Sequence, residues 1–535
     1  MTTLASLGVV APVRPDRLAR VVRAQRRYGV TPAFAAAAAA ALHPGRPAVI
    51  DERGALTFAD LDAQARALAG ALHRCYELGA GDRVAIMCRN HRGFVQATVA
   101  ASRLGCDLVP LNTDFAAPQL ADVLAREAVS AVVHDEEFAA TFDDAGCALP
   151  RVVAWHERPL AQLTIDAQLT IDALLAARGA GERDAPAPRA HGRTILMTSG
   201  TTGTPKGAVR TLRAQMLVSL AVAGLIDLGR FKPPPRSGEP LVVAPPLFHL
   251  YGQLALMLAF GLGSPLVVRR RFDPEATLAQ IDDHHAAVLL AVPTMLKRIV
   301  DLPPDTRRRY DCGSLKVVAS GAAPLAPELC TAVMDQFGDV LYNGYASTEV
   351  GAVALATPAD LRTAPGTVGR PLAGIKLKLL GDDGTECEHG AVGRIFVGSP
   401  SLFDGYSGGG GKQVIKGLMS TGDVGHLDER GRLFIDGRDD DMILSGGENV
   451  FPQEVEELLC SHDAVADAAV FGVADPDFGQ RLGAFVVCKP DADVSAEELQ
   501  RYVRERLARY KVPREITFVA QVPRTATGKL QRGRL

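Results

Sequence analysis

The sequence predicts an α/β protein: a large N-terminal region of α/β sheets with a β-rich subdomain, followed by a small α+β domain. From Pro47 to His134, and again from Leu241 to Tyr342, short β-branched runs alternate with longer helical stretches. That alternation is the pattern of parallel strands joined by helices. Around Ile375–Leu380 and Gly393–Val397 short strands and glycine turns take over. Strand Leu433–Ile435 then runs into Asp436-Gly-Arg-Asp-Asp-Asp441, a stretch poor in core formers that precedes a fresh α/β pattern. The domain boundary is placed there, giving regions 1–436 and 437–535.

Taken in order, Arg14–Val30 sets Arg14, Arg17, Arg20, Arg23, Arg26 and Arg27 against Leu18, Val21, Val22 and Tyr28 at helical spacing. Its two readings are a helix lying against the main body and a basic face docking on an anionic membrane. Ala48–Asp51 and Ala55–Phe58 form a hairpin turning at Arg53-Gly54. Helix 59–78 buries Leu61, Ala65, Leu68 and Leu72 on one face. Strands follow at Arg83–Met87, Asp107–Pro110 and Ala131–His134, with helices at Phe94–Leu104 and Pro118–Ala125 between them. Arg178–His191 reads as an exposed connection, and the second block has strands at Leu241–Ala244, Pro265–Val268, Ala287–Ala291, Val317–Ser320 and Val340–Tyr342. The C-terminal region has helix Pro452–Cys460, strands Val465–Val473 and Gly483–Lys489, helix Ala496–Leu507 and strand Glu515–Phe518.

Composition narrows the class. The chain has 535 residues, 47% hydrophobic and 22% charged, so disordered, collagenous and disulfide-scaffold proteins are excluded. A net charge of −3 argues against general nucleic-acid binding. Nine scattered cysteines form no CxxC pair, which points to free thiols in a reducing cytosol. Met1–Pro12 lacks the basic start and apolar stretch of a secretory signal, and the longest apolar run, Ala33–Leu42, is far short of the roughly 20 residues that span a bilayer.

The chemistry concentrates in a few motifs. In Leu196–Gly207 five hydroxyl residues and three glycines follow an apolar strand, with one lysine near the end. Backbone and hydroxyl donors from Thr198, Ser199, Gly200, Thr201, Thr202, Gly203 and Thr204, with the charge of Lys206, suit a polyphosphate. Pro205 stands where a Walker A loop needs glycine, so the loop is of another kind. Downstream, Tyr345 is placed to stack on a base, Thr348 to bond a phosphate and Glu349 to hold Mg²⁺. Ser420-Thr-Gly-Asp423 puts a carboxylate after a tight turn, suited either to a ribose diol or to an ordinary capped turn. Gly408–Gly411 reads as a flexible turn, and Lys412 after it does not make it a nucleotide loop.

These segments, in this order and followed by Asp439–Asp441 and Pro523-Arg-Thr-Ala-Thr-Gly-Lys529, resemble the adenylate-forming superfamily of acyl-CoA synthetases, firefly luciferase and peptide-synthetase adenylation domains. The resemblance runs from about Arg46 to Leu535 and is most like bacterial fatty-acyl-CoA synthetases, which the arginine-rich start and Phe272-Asp-Pro-Glu275 share. It implies ATP, Mg²⁺ and CoA as cofactor and co-substrates, and a medium- or long-chain fatty acid as the acid partner, with an aryl or terpenoid acid as the alternative. Thr198–Gly207 would surround the ATP phosphates, and Thr198 and Glu349 would hold Mg²⁺. Gly321-Ala322-Ala323-Pro324 and Asn343-Gly344-Tyr345 would enclose adenine, while Asp423 and Arg438 would hold ribose. His249 would sit at the carboxylate entrance; without the resemblance it reads as a core histidine. Lys529 would bridge carboxylate and α-phosphate, Asp440 would be the hinge of a mobile C-terminal domain, and Ser445, Gly446 and Gly447 would line the CoA tunnel. Two residues depart from the pattern: Ala346 replaces the usual glycine, adding a methyl beside the pocket, and Met419 stands where an aromatic or basic residue is common. A carrier-protein acyl-AMP ligase is the competing enzyme reading, disfavoured by the compact Ser401–Ser420 segment, and an inactive nucleotide-binding scaffold is the competing non-enzyme one.

Overall fold

Strands flanked on both faces by helices must be apolar throughout, and the valine- and alanine-rich segments Arg83–Met87, Asp107–Pro110 and Ala131–Asp135 are buried along almost their whole length. In the computed structural model, which describes residues 14–157, 169–177, 184–198, 206–211, 227, 229–439, 443–445, 448–475, 479–507, 511–524 and 530, they form the parallel centre of an eight-stranded sheet. The chain divides into two compact units, Met1–Ser320 with Pro400–Gly411, and Gly321–Ser399 with Lys412–Leu535.

In the first unit that sheet continues through Arg151–Trp155 on one side. On the other side it runs through Thr194–Thr198, Lys206–Arg210 and Gly405–Tyr406, the last two antiparallel to their neighbours. A second sheet sets Val317–Gly321, Val288–Ala291, Leu241–Val243, Leu266–Val267 and Pro47–Asp51 side by side in parallel, closed by the hairpin strand Gly54–Thr57. The hairpin and most of the expected strands and helices lie within one to three residues of the expected bounds. Strand Arg151–Trp155 was not foreseen. It follows a stretch with no helix long enough to announce another strand–helix repeat.

Helix α1 (Pro15–Tyr28) is amphipathic as its spacing predicts. It packs on the first unit through Tyr28, whose hydroxyl accepts from Arg103 Nη1 at 2.7 Å. Arg17 and Arg27 donate to the carbonyls of Leu42 and Ala185 at 2.9 and 3.0 Å. Leu18 and Val22 remain exposed among the arginines. Helix α2 (Phe58–Tyr76) supplies Asp62, which pairs with Arg103. Arg103 itself belongs to α3 (Arg92–Leu104), buried from Gly93 to its end.

In the second unit, β1 (Leu341–Ser347) pairs antiparallel with Gly351–Ala356. A five-stranded antiparallel sheet is built on β2 (Leu418–Leu427), which runs beside Gly393–Gly398 and β3 (Leu433–Arg438). The C-terminal segment makes its own sheet from a ten-pair antiparallel ladder between Val465–Asp475 and Gly479–Cys488, with Glu515–Phe518 parallel to the second. Its core, including Val455, Leu459, Val470 and Leu499, is fully buried. All nine cysteines are free. No helix among the described residues is long and apolar enough to cross a membrane.

Tyr28 joins α1 to a buried arginine, so Tyr28→Ala removes a packed ring and leaves a desolvated guanidinium short of an acceptor. Urea denaturation should show a loss of about 3 kcal/mol. A loss below about 1 kcal/mol would mean that α1 does not stabilise the unit it lies on.

Candidate active site

The arrangement with the most defined chemistry lies in the second unit, where β2 and β3 run antiparallel with Asp423 directly opposite Arg438. The register makes neighbours of residues 15 positions apart, and Arg438 Nη1 donates to Asp423 Oδ1 at 3.0 Å. The Tyr345 hydroxyl, from the separate strand β1, donates to the other oxygen, Asp423 Oδ2. Burial and the adjacent carboxylate push the Tyr345 phenol well above its usual ionisation range, so it stays a donor. The three residues expected to grip adenine and ribose are therefore assembled on one carboxylate.

Asp423 does not follow a free turn, as its motif suggests. It lies inside the ten-residue strand β2, where Gly422 at φ +81° and an irregular register at Val424/Gly425 turn the backbone without ending the strand. The Thr421 hydroxyl accepts from the Asp423 N–H at 3.0 Å and donates to the Ile395 carbonyl, fixing the carboxylate's base.

Gly321 sits so close to β1 that a Cβ would fall 3.0 Å from the Gly344 carbonyl oxygen, which accounts for glycine there. Ala322 follows with φ +69°, a left-handed conformation that costs an alanine roughly 1–2 kcal/mol and is found preferentially at functional sites. Ala323 continues the same segment, half-buried. Asn343 is buried and donates to the Thr367 carbonyl at 3.3 Å, so its amide serves the scaffold in this arrangement. Thr367, which no motif announced, donates in turn to the Leu433 carbonyl at 2.9 Å and so ties the β1 neighbourhood to β3. Thr348 and Glu349 lie half-buried between β1 and Gly351. Ala346 is exposed, so its extra methyl displaces no packed group, and Met419 is buried in β2 as a core residue.

In the first unit, Thr198 and Lys206 face each other across an antiparallel pair, and Thr198 Oγ1 donates to the Lys206 carbonyl at 3.1 Å. The Lys206 ammonium lies 5.7 Å from the Tyr406 ring centre. Ser199, Gly200, Thr201, Thr202, Gly203 and Thr204 lie outside the described residues, as do Asp440, Gly446, Gly447 and Lys529. Ser445 is described as backbone, opposite Glu448 and Gly479.

His249 caps the start of helix α4 (Leu250–Leu262) by position, without a side-chain capping bond. Its Nε2 is buried with no hydrogen-bond partner among the described residues, an orphan polar atom of the kind a substrate can satisfy. Burial lowers its pKa to about 4, so the ring is neutral at physiological pH. A contrasting cluster, Cys88, His91 and Asp135, has the residue types of a metal site and is fully buried. Its hydrogen bonds are already complete: His91 Nδ1 accepts from Gly93 N at 3.0 Å, Nε2 donates to Asp135 Oδ1 at 2.7 Å, and Asp135 Oδ2 accepts from Arg89 N at 2.9 Å. That cluster caps α3.

The His249 shift gives stability a direction with pH. The unfolded chain binds the proton near 6.5 and the folded chain only near 4, so stability falls as pH drops through that window. The fall is at most about 3 kcal/mol. Thermal denaturation of His249→Gln between those pH values should show a shallower decline, and an identical slope would refute the assignment.

The profile of the AMP-binding enzyme family matches residues 36–407, and that of the AMP-binding enzyme C-terminal domain matches residues 454–529. The chain is 32% identical over 503 residues to an indoleacetate–CoA ligase of Aromatoleum aromaticum, covering 92% of this chain and 95% of the relative. It is 31% identical over 500 residues to a feruloyl-CoA synthase of an Amycolatopsis species, covering 92% and 96%. Among solved structures, the o-succinylbenzoate CoA synthetase of Bacillus subtilis in complex with its acyl-adenylate superposes with a TM-score of 0.79 at 29% identity, covering 93% and 97%. The same synthetase has also been solved with ATP and a magnesium ion. With both parts of its length matched, and a relative 32% identical across 92% of it, the chain belongs to the AMP-binding enzyme family.

Proposed function

We propose that this enzyme, an AMP-forming acid–thiol ligase using ATP, Mg²⁺ and CoA, activates an aromatic or fused-ring carboxylic acid. The family and the CoA ligases it resembles support the reaction class, and their named acids support the ring. Those names move the expectation away from a fatty acid, which becomes the second reading. From the family resemblance we assign Leu250–Gln253, Gly321–Ala322 and Val350–Ala354 to the wall of the acid pocket, and these segments are mostly apolar and small, which suits a flat ring. No Arg or Lys stands among them to hold a second carboxylate, which disfavours a dicarboxylic acid as the substrate.

The observation that carries the reading is Asp423 held by Tyr345 and Arg438, a carboxylate with fixed lone pairs beside a base-sized aromatic ring. A carboxylate resists attack by a thiol because its oxygen is a poor leaving group. Transfer of AMP to that oxygen releases pyrophosphate and makes AMP the leaving group for the CoA thiol. Lys529 is assigned to the carboxylate and α-phosphate in the first step, and the neutral His249 to the acid's entrance. Glu349 and Thr198 offer the hard oxygen donors Mg²⁺ prefers, and the ion, when bound, neutralises phosphate charge. We assign residues 437–535 to a domain turning at Asp440, with Ser445, Gly446 and Gly447 on the thiol path, because the two steps need different groups at one place.

Acid-dependent pyrophosphate release should give kcat/KM values at least about tenfold higher for indoleacetate- or ferulate-like acids than for C8–C16 fatty acids, a difference of about 1.4 kcal/mol. The reverse order would favour the fatty-acid reading. Lys529→Ala should slow acyl-AMP formation roughly 100- to 1000-fold, while thioester formation from supplied acyl-AMP changes by less than about fivefold. Equal losses in both half-reactions would undo this division of labour.

A further inference from the structure

The Gly408–Gly411 turn and the lysine after it carry no nucleotide motif, yet the fold brings that lysine over Gly422, beside Arg438. A Cβ built on Gly422 would lie 3.0 Å from Lys412 Nζ and 3.2 Å from Arg438 Nη2. The ammonium and the guanidinium therefore share the space that a side chain at Gly422 would fill, one residue before Asp423. They stand within about 6 Å of each other, a separation at which like charges repel unless an anion joins them. Arg438 has Asp423 as a partner, whereas Lys412 makes no ion pair among the described residues.

Lys412 is carried on anchored backbone. The carbonyl of its neighbour Gln413 accepts from Ser420 N at 2.8 Å, and the Gln413 side chain accepts from Arg394 Nη2 at 2.7 Å. Arg394 Nε donates to Asp439 Oδ2 at 2.9 Å, and Asp439 N donates to the Gly422 carbonyl at 3.0 Å, closing a ring of contacts around the same turn. Among the described residues three cations, Lys412, Arg394 and Arg438, and two carboxylates, Asp423 and Asp439, gather around this turn. Among these five groups the excess is one positive charge, and a compact ammonium with three donors is a phosphate ligand.

We propose that Lys412 is a phosphate-binding residue of this enzyme, taking, beside Arg438, a phosphate oxygen of an incoming substrate. The proposal rests on the nucleotide reading of Asp423. Two substrates of the reaction bear phosphate, ATP and CoA, and steady-state kinetics on the full chain separates them. Lys412→Ala should raise the KM of one of them by roughly tenfold or more, the size expected for a lost charge-assisted hydrogen bond. The KM of the carboxylic acid and the melting temperature should stay unchanged, and Lys412→Arg should recover most of the loss. A rise confined to ATP assigns the nucleotide phosphates, and a rise confined to CoA assigns the CoA phosphates. Unchanged KM values for both, or equal rises for all three substrates with a lowered melting temperature, would overturn the role. Failure of the wild-type chain to release pyrophosphate with any acid would instead overturn the ligase reading, and the wild type alone reports it.

Discussion

Two neighbouring antiparallel strands hold Asp423 opposite Arg438, and the side-chain cluster of the second unit depends on that register. A slip of either strand by one residue would turn its side chain to the opposite face of the sheet, away from its partner. Because Tyr345 and Arg438 each occupy one oxygen, the carboxylate keeps its direction with little freedom to rotate. Charge-assisted bonds of this kind contribute roughly 1.5–3 kcal/mol each. Their larger consequence is geometric, since a diol or phosphate arriving at the site meets donors and acceptors already in place.

The scaffold around that pair is arranged to protect the register. Thr421 ties the Asp423 N–H to the Ile395 carbonyl of the neighbouring strand, and Thr367 ties the β1 neighbourhood to β3 through the Leu433 carbonyl. Thr367 belongs to no pattern a reader of sequence would single out, and Thr421, although inside the 420–423 motif, has no role that the motif announces. Their hydroxyls act through backbone groups of distant segments, and such contacts leave no spacing signature. In the first unit the candidate residues Thr198 and His249 follow strands or sit at their carboxyl ends, where open α/β sheets present their ligand sites.

Burial assigns different work to chemically similar groups. His91 is capped, bonded and enclosed, so it secures the start of α3. His249 is enclosed with Nε2 unsatisfied, so it carries the cost of a missing partner and is poised to accept one. Cys88, beside Asp135, is held as a thiol by burial, which pushes its pKa well above the usual range. Residue type alone does not separate these cases.

The sequence by itself determined the α/β class, the order of the strands, and the motifs at 196–207, 341–350 and 420–423, because periodicity and glycine–hydroxyl clusters are local properties of the chain. It also placed Tyr345, Asp423 and Arg438 in one site by resemblance. Only the tertiary structure decided how they meet: that Asp423 lies within a long strand, that Tyr345 offers it a hydroxyl as well as a ring, and that Lys412 stands beside Arg438 over Gly422. Lys412 was unreadable because a lysine after four glycines has no periodic or motif context. Its chemistry is set by the charge of Arg438, 26 residues away in sequence and adjacent through the pairing of β2 with β3. Register and burial are long-range constraints, and they turn a list of polar residues into a site.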